Sequence, residues 1–405
     1  MNYRKYDHEK DKDSLFRICN EIGWAKKPET FWLTEYIPKT RTLVSDLNGQ
    51  AECFANSVLG NYYYLGQKLT LSAINGIGTS LVARKQRLAS KLTVAKIVED
   101  VMDGADIAGL GFFEQGYYDQ FGFGNNGYEH IVRFTPSSLK LKRDIPVPVR
   151  IGIEHASEIY EVRANRHRVH GNVVLPEICN TGDLQDGDNY QGYGFRDEDG
   201  TLTHLIWVYG RGSEHGMFRI YLLYQNYEQF LDLLALIKSF GDQITIARIS
   251  EPPGIQIQDF LNQPFTYRRL TTKSPYENSI KATSWSQVRI LNLENCISKL
   301  KTIKPVSFNL KLSDPIVKYL PENSPWAGIG GEYIVRLGSE SMVEKGVDNS
   351  LLTLEASVGA FTRLWAGVLK ATQLRYSDEL FAHQELLTEL DEAINLPIPR
   401  FDWDF

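Results

Sequence analysis

The residues from Ala73 to Leu92, AINGIGTSLVARKQRLASKL, decide the fold, because a strand, a turn and a helix follow one another within them. A turn rich in backbone N–H groups follows the strand, and the pattern predicts a helix that begins among Arg84 to Arg87. A helix start offers unpaired N–H groups and a positive dipole end, which together hold phosphate. Basic residues there are unfavourable unless an anion binds, so two alternatives stand: an anion site and a solvated basic turn.

The sequence on either side of this stretch predicts further strands, which would form a sheet that contains a crossover connection. A short strand at 3–6 and an amphipathic helix open the chain, and aromatic and β-branched runs from 41 to 79, broken by Asn-Gly and Gly, predict antiparallel strands and hairpins. The helix after the turn is predicted to end at Asp103-Gly104, a C-cap signal, and IAGLGFF (107–113) reads as a buried strand. Strand, helix and strand in succession imply a parallel crossover.

The same order of elements occurs a second time. VPVRIGI (147–153) begins it, a helix is predicted over 155–171, and THLIWVYGR (203–211) with MFRIYLLYQ (217–225) predict a hairpin. A helix (227–241) and a strand (244–249) follow. The last third carries its own strands and helices, so the 405 residues predict an α/β (α+β) protein with mixed sheets and three domains: 1–140, 141–285 and 286–405.

Composition excludes several classes of protein. With 42% hydrophobic and 23% charged residues, global disorder is excluded. Fifty acidic residues exceed 44 basic ones, which gives a net charge of −6, so neither nucleic acid nor an anionic membrane is an expected partner. The four cysteines are scattered without a CxxC pair, against a zinc ribbon or disulfide framework. The first residues lack the apolar core of a signal peptide, and the cytoplasm is the expected location.

Two motifs resemble the GNAT superfamily of N-acetyltransferases. Its acetyl-coenzyme-A motif, Arg/Gln-x-x-Gly-x-Gly/Ala after a strand, is matched by RKQRLA from Arg84 to Ala89, with Arg87 at the central glycine. Its second signature, a Tyr followed by Phe-Gly-Phe/Tyr, is matched by YDQFGF from Tyr118 to Phe123. More narrowly, length, the paired β-α units and the tail FDWDF resemble the Eis (enhanced intracellular survival) type, which implies two GNAT-like folds and a sterol-carrier-protein-like third domain.

The resemblance implies an acetyl-coenzyme-A-dependent N-acetyltransferase that acts on a primary amine of a small molecule or a lysine-like group. It implies a homo-oligomer, a hexamer or trimer, and acetyl-coenzyme A as cosubstrate. The residues that it places at the cofactor are Asn75, Ile77, Gly78, Thr79, Arg84, Lys85, Gln86, Arg87, Leu88 and Ala89. The Cβ of Arg87 would have to point away from the pyrophosphate, whereas the side chain could pair with phosphate.

The resemblance also assigns the catalytic roles. Tyr118 would be the general acid, since a phenol with a reference pKa of about 10 stays protonated at neutral pH and can donate to the departing sulfur. The terminal carboxylate of Phe405 would be the general base, and Asp404 would attract a cationic amine. From the residues alone, a core tyrosine and a tail docked by its aromatic rings are the alternatives. Trp24 and Trp32 are candidates to line the substrate pocket, and core packing explains them equally well.

Two further functions stay open at this point. One is a cofactor- or ligand-binding protein that keeps the three-domain scaffold without turnover, which Arg87 favours; the other is an apolar ligand in the third domain. No metal site is predicted. His167 and His170 are interpreted as part of a solvated basic helix face. Two other patterns are interpreted as turns, namely Asp183, Asp186 and Asp188 around Gly187, and the glycines Gly328, Gly330 and Gly331.

Overall fold

A computed structural model describes residues 3–112, 114–185, 190–210, 218–265 and 268–405. The chain divides into two compact units. The first unit contains residues Met1–Gly127, Val169–Pro176 and Ser284–Phe405, and the second contains Tyr128–Arg168 and Glu177–Thr283. The domain boundaries at 140 and 285 stay a prediction.

Each unit is built from mixed strands and helices, which confirms the α/β (α+β) class. The first unit has β1 (Tyr3–Lys5), α1 (His8–Glu21), β2 (Arg41–Leu47), β3 (Gln50–Tyr64), β4 (Gln67–Thr79), α2 (Leu88–Met102), β5 (Ile107–Gly111), α3 (Gln115–Asp119), β6 (Gly124–Asn125), β9 (Val173–Val174), β15 (Ser286–Ile290), α8 (Leu293–Lys299), β16 (Val306–Ser313), β17 (Gly331–Leu337), β18 (Met342–Lys345), β19 (Thr353–Ser357), α9 (Val358–Trp365), α10 (Ala371–Ser377), β20 (Leu380–Phe381) and α11 (Gln384–Ala393). The second unit has β7 (Glu129–Phe134), β8 (Val149–Ile151), α4 (Ala156–Ala164), α5 (Glu177–Gln185), β10 (Tyr190–Arg196), β11 (Leu202–Tyr209), β12 (Phe218–Leu223), α6 (Tyr227–Ser239), β13 (Ala247–Ser250), α7 (Arg268–Thr271) and β14 (Ser279–Thr283).

The first sheet runs β1-β2-β3-β4-β5-β15-β6, with β9 paired to β3. β4 and β5 are parallel and α2 connects them, which confirms the predicted crossover. β15, from the last third of the chain, is antiparallel to both β5 and β6. The first sheet is therefore completed by residues far along the sequence.

A buried carboxylate fastens α2 to this sheet. Asp100 is fully buried and accepts hydrogen bonds of 2.7 Å from the hydroxyls of Ser57 in β3 and Ser72 in β4. Arg41 of β2 donates to it at 2.9 Å, and the buried Lys96 forms an ion pair with it at 2.9 Å. Buried charges are tolerated only when they are paired and hydrogen-bonded, as here. Three strands thus fix the position of one helix.

The second sheet runs β14-β7-β13-β12-β11-β10-β8. β11 and β12 form the predicted antiparallel hairpin, and β13 lies parallel to β12, after α6. One face packs against α6 in a core that includes Phe134, Ile220 and Phe230. The second unit therefore repeats the strand, helix and parallel strand of the first.

A third sheet, β18-β17-β16-β19-β20, lies in the first unit. Ser357 caps α9 by accepting from the N–H of Ala360, and the helix ends at Trp365. Of the glycines interpreted as a turn, Gly328, with a φ of +81°, and Gly330 precede β17, whereas Gly331 is the first residue of that strand. All four cysteines are buried, and no disulfide joins them.

Several sequence expectations are wrong in detail. β3 continues through Gly60-Asn61 where a break is predicted, because β9 and β4 pair on either side of it. α4 ends at Ala164, so His167 and His170 are not on a helix. His170 is buried rather than solvated.

Two further expectations concern acidic residues and membranes. Asp183 lies in α5 and pairs with Arg163 instead of forming a turn, while Asp186 and Asp188 lie outside the described residues. Within the described ranges, every helix is too short or too polar to cross a bilayer.

Candidate functional site

β4 and β5 part in the middle of the first sheet. Their parallel pairing covers Leu71 to Ile74 against Ile107 to Leu110 and goes no further. The register between β3 and β4 shifts at this point, so Asn75 is an extra residue in β4, a β-bulge. Beyond the bulge, the described structure pairs β4 with β3 alone. On the side that faces away from β3, the backbone N–H and C=O groups of residues 75–79 therefore have no strand partner in the described structure and could bind another molecule.

The last residues of the chain are anchored at the end of β5. The N–H of Gly111 donates to the terminal carbonyl oxygen of Phe405 at 3.2 Å. The ring of Phe401 stacks on that of Phe405 with 5.3 Å between centroids, and Phe401 lies so close to Gly109 that a Cβ there would be 2.8 Å from it. The N–H of Val173 in β9 donates to the Phe401 carbonyl at 3.0 Å. These contacts bring Phe405 to the place where β4 and β5 part.

Tyr118 lies in α3, in the same part of the first unit. Its side chain is buried in a cluster with Ile74 and Leu110, the last pair between β4 and β5. Burial raises the pKa of the phenol, with smaller contributions from Tyr117 and Glu114, so the hydroxyl stays protonated at neutral pH. Among the described residues, none forms a hydrogen bond with this hydroxyl. The structure therefore offers a protonated donor without a partner.

The start of α2 is exposed and has glycine-like backbone geometry. The helix begins at Leu88, later than predicted, and the four side chains from Arg84 to Arg87 are exposed. Arg87 has a φ of +59°, the left-handed conformation that a glycine adopts without cost, and Lys85 has a φ of +62°. Arg87 therefore has the backbone conformation that favours glycine, at the position where the motif has one.

This helix start has no side-chain cap. Arg87 occupies the N-cap position without making a capping hydrogen bond. No described group accepts from the N–H groups of residues 86–90. Unpaired N–H groups together with exposed arginines are what a pyrophosphate requires, so these residues fit the phosphate end of coenzyme A.

The other predicted cofactor residues lie along β4 on the way to this loop. Asn75 at the bulge is bonded to the hydroxyl of Tyr36. Ile77 is half-buried, Gly78 packs too closely on Phe54 for a larger residue, and the Thr79 hydroxyl is 3.2 Å from the sulfur of Cys53. Residues 75–79 thus connect the parting of the strands with the start of α2.

Trp24 and Trp32 both contact Phe54 on β3. Their ring centroids lie 6.2 Å and 5.6 Å from that of Phe54. Trp24 remains 51% exposed, and Trp32 is half-buried beside Gly76. Asp404 is exposed next to Phe405. The two tryptophans are partly accessible rather than core residues.

Sequence reasoning missed the residues that receive the C-terminal segment. Gly109 and Gly111 lie in β5, where glycine within a strand often marks the close approach of another backbone. That signal was present in IAGLGFF. The Tyr36 and Asn75 pair had no such signal, because a π-helix over Trp32–Tyr36 places the tyrosine.

A cavity of about 300 Å³ also lies in the first unit, apart from these residues. It is lined by Asp119, the segment 122–125, Arg363 and the segment 377–379, among others. None of the predicted catalytic, cofactor or substrate residues lines it. It gives no support to the predicted site.

Comparisons with known proteins agree with this architecture. No known family model matches the chain, and no curated protein matches its sequence. Among solved structures, a probable N-acyltransferase from Enterococcus faecalis V583 superposes with a TM-score of 0.81 at 14% identity, covering 100% of this chain and 99% of that one. A GCN5-related N-acetyltransferase from Anabaena variabilis superposes with a TM-score of 0.78 at 14% sequence identity, and the match covers 100% of both chains. Eis1 from Mycobacterium abscessus superposes with a TM-score of 0.76 at 13% sequence identity, and the match again covers 100% of both chains. Along its whole length, the chain has the fold of GCN5-related N-acetyltransferases.

Proposed function

We propose that this protein is an N-acetyltransferase of the Eis type, which transfers the acetyl group of acetyl-coenzyme A to a primary amine of a small molecule or a lysine-like group. The observation that supports this most is the hydrogen bond from Gly111 to the terminal carbonyl of Phe405. It holds a carboxylate at the point where β4 and β5 part. The whole-chain likeness to GCN5-related N-acetyltransferases supports the same assignment.

The phosphate end of acetyl-coenzyme A would bind at the start of α2. The N–H groups of residues 86–89 would donate to the pyrophosphate, and Arg84, Lys85 and Arg87 would supply positive charge. The open edge of β4, with Ile77 and Thr79, would hold the amide groups of the pantetheine arm. Bound there, the cosubstrate supplies an acetyl group on a thioester sulfur.

The two catalytic residues would act on opposite sides of that thioester. The Phe405 carboxylate takes a proton from the amine, whose nitrogen forms the new C–N bond as the C–S bond breaks. Tyr118 gives its phenolic proton to the departing sulfur. The backbone N–H groups of residues 77–79 would stabilise the charge that develops on the carbonyl oxygen. Asp404, Trp24 and Trp32 would receive the cationic amine.

Fold and assembly follow the same proposal. The last third would correspond to the sterol-carrier-protein-like domain, and its role would be to deliver Phe405 to the first fold. By the same resemblance, we expect a closed homo-oligomer, a hexamer or trimer. Light scattering coupled to gel filtration measures that state.

Extending the chain after Phe405 tests the base. Two added residues, Gly-Ser, remove the free carboxylate from Gly111, so we expect a loss of about 10²–10⁴-fold in kcat for acetylation of a polyamine. The matched control is the same dipeptide inserted in the exposed turn at Gly200 of the second unit. Free thiol release from acetyl-coenzyme A gives the rate.

Three results would contradict the proposal or a part of it. Undiminished kcat in the extended variant would remove Phe405 from the mechanism while leaving acetyl transfer intact. Absence of acetyl-coenzyme-A binding by the unmodified protein in calorimetry at millimolar cosubstrate would remove the enzyme assignment itself. Binding without transfer to any amine of a broad panel would favour a binding protein on the same scaffold.

A further inference from the structure

Three arginines stand side by side on adjacent strands of the second sheet. Arg248 in β13 is paired with Arg133 in β7 on one side and with Arg219 in β12 on the other. Neighbouring strands lie about 4.8 Å apart, so the three side chains start within about 10 Å of each other. We call Arg133, Arg248 and Arg219 the arginine row.

The arginine row lies on the face of the sheet that turns away from the α6 core. The next residue along each strand, Val132, Ile249 and Ile220, is buried in that core, and these residues are partners in the same ladders. Because side chains alternate along a strand, the arginines project from the opposite face. Each of the three is partly exposed.

A fourth cationic side chain lies on the same face as the arginine row. Lys281 in β14 projects on the same face, since its partner Ile131 lies two residues from Arg133 in β7. The charge of Glu129 also acts on Arg248, and Arg219 stacks on the ring of Tyr221 at 4.7 Å. Among the described residues, four cationic side chains therefore lie on one face of this sheet.

Two members of the arginine row have hydrogen-bonding capacity to spare. Arg248 makes no hydrogen bond or ion pair with any described residue. The Nε of Arg133 is buried without a partner, although its Nη2 donates to the carbonyl of Pro275. Burial and the charges of Arg219 and Arg133 lower the pKa of Arg248. Like charges directly opposite one another destabilise a sheet, and a buried donor without an acceptor adds to that cost.

We propose that the arginine row binds a phosphate-bearing small molecule with several negative charges. Guanidinium groups match phosphate oxygens with paired donors, and one phosphate presents three acceptor oxygens. Such an anion would neutralise the row and accept from Arg248 and Arg133 at once. The net charge of −6 for the whole chain disfavours a long polyanion such as nucleic acid. The proposal does not depend on acetyl transfer.

Calorimetric titration of the full-length protein with tripolyphosphate at low salt tests the proposal. We expect binding that weakens at least about tenfold in Arg248→Gln. Arg150→Gln is the matched control, because Arg150 is an exposed arginine of the same sheet, in its far edge strand β8, and we expect it to bind as the unmodified protein does. Tripolyphosphate should also raise the thermal midpoint of the unmodified protein more than that of Arg248→Gln.

The start of α2 is a second place where tripolyphosphate could bind, so Arg87→Gln is titrated in parallel. Retention of the Arg248-dependent binding in that variant supports the proposal. Loss of all binding in Arg87→Gln with no change in Arg248→Gln would overturn it. Equal weakening in Arg150→Gln and Arg248→Gln would also overturn it, since it would show nonspecific attraction.

Two competitors define the class of ligand. Citrate that binds more tightly than tripolyphosphate, and loses this binding in Arg248→Gln, would replace the phosphate assignment with a carboxylate one. A single-stranded RNA oligonucleotide that binds more tightly than tripolyphosphate, again through Arg248, would replace the small molecule with a nucleic acid. Weaker binding of both supports the proposal.

Discussion

The two units repeat one arrangement, in which a helix connects two parallel strands, and they differ in how that helix begins. In the second unit, Asn226 caps α6 by accepting from the N–H of Gln229 at 3.0 Å, and Gln229 accepts in turn from Gln225. In the first unit, α2 begins at Leu88, and its N-cap residue Arg87 makes no side-chain capping hydrogen bond. At a capped helix start, a side chain of the protein accepts from one of the N–H groups that would otherwise be unpaired. The same arrangement thus has a helix start without a side-chain cap in the first unit and a capped one in the second.

The helices also differ in how they are held. α2 is fixed from below by the buried Asp100 and its partners in β2, β3 and β4. α6 relies on apolar packing, and its Asp232 makes a partly exposed ion pair with Arg143. The two helices therefore differ in two ways: in the capping of their first turns, and in whether a buried polar network or apolar packing holds them on the sheet.

The largest expected effect is a loss of activity on substitution of Tyr118, because the proposed catalytic residues all lie in the first unit. Tyr118→Phe removes the proposed acid, and we expect kcat to fall by about 10²–10⁴-fold. The free energy of unfolding should be nearly unchanged, because the hydroxyl makes no hydrogen bond with a described residue. Tyr193→Phe in the second unit, whose hydroxyl donates to Gln191, is the control and should keep full activity. A Tyr118→Phe variant with unaltered kcat would remove this residue from the mechanism.

The next effect concerns the anchors of the two helices. Asp100→Ala leaves Lys96 buried without this partner, so we expect a loss of about 3–5 kcal/mol in the free energy of unfolding. Asp232→Ala should cost at most about 1 kcal/mol, as for an exposed pair. Urea unfolding followed by circular dichroism measures both. Equal losses would show that the buried network is no more important to α2 than the surface pair is to α6.

The third prediction compares the helix starts directly. Asn226→Ala should lower the free energy of unfolding by about 1 kcal/mol, the usual value for a lost N-cap. Arg87→Ala removes no cap and keeps a residue with a Cβ at positive φ, so stability should change by less than about 0.5 kcal/mol. Its affinity for acetyl-coenzyme A should fall. Similar destabilisation by both substitutions would mean that Arg87 caps α2.

The smallest effect is a pH dependence in the first unit. The N–H of Leu65 donates to Nδ1 of His170 at 3.3 Å, and Nε2 donates to the Ala366 carbonyl at 2.9 Å. Burial lowers the pKa of His170 below the ordinary value of about 6.5. Below pH 6.5 the unfolded chain therefore binds a proton that the folded chain does not, and stability falls as the pH decreases.

Denaturant unfolding between pH 7.5 and 5 measures this slope, and His170→Gln should flatten it. In the second unit, burial lowers the pKa of His204 too, while Asp232 opposes the shift, as the hydrogen bond to the Ala366 carbonyl does at His170. His204→Gln should therefore flatten the slope as well. An unchanged slope in both variants would contradict the prediction.

The crossovers could be predicted from sequence because they depend on local patterns. Apolar spacing located α2 and α6, and the strands on either side of each are short runs of β-branched and apolar residues. The sequence was less accurate for the start of α2 and the end of α4. α4 ends at Ala164, and from Val169 to Pro176 the chain belongs to the first unit, a change of unit that no local sequence window reveals.

In the candidate site, too, local features could be predicted from the sequence and long-range contacts could not. The motif residues of the α2 start were found by their types and spacing, although the left-handed backbone of Arg87 could not be read from an arginine. The anchoring of Phe405 on Gly111 depends on residues that lie almost 300 positions apart in the chain. The bulge at Asn75 depends on the register between β3 and β4, which a single sequence does not define.

The place of β15 in the first sheet has a consequence for the order of folding. β15 covers the edge of β5, yet it is synthesised about 180 residues later. Until residue 290 has left the ribosome, the growing chain carries an unpaired apolar strand edge while the intervening residues form their own sheet. Such separated pairing slows folding and exposes a surface for aggregation. Early release of the nascent chain would therefore yield a first fold that is open on one side.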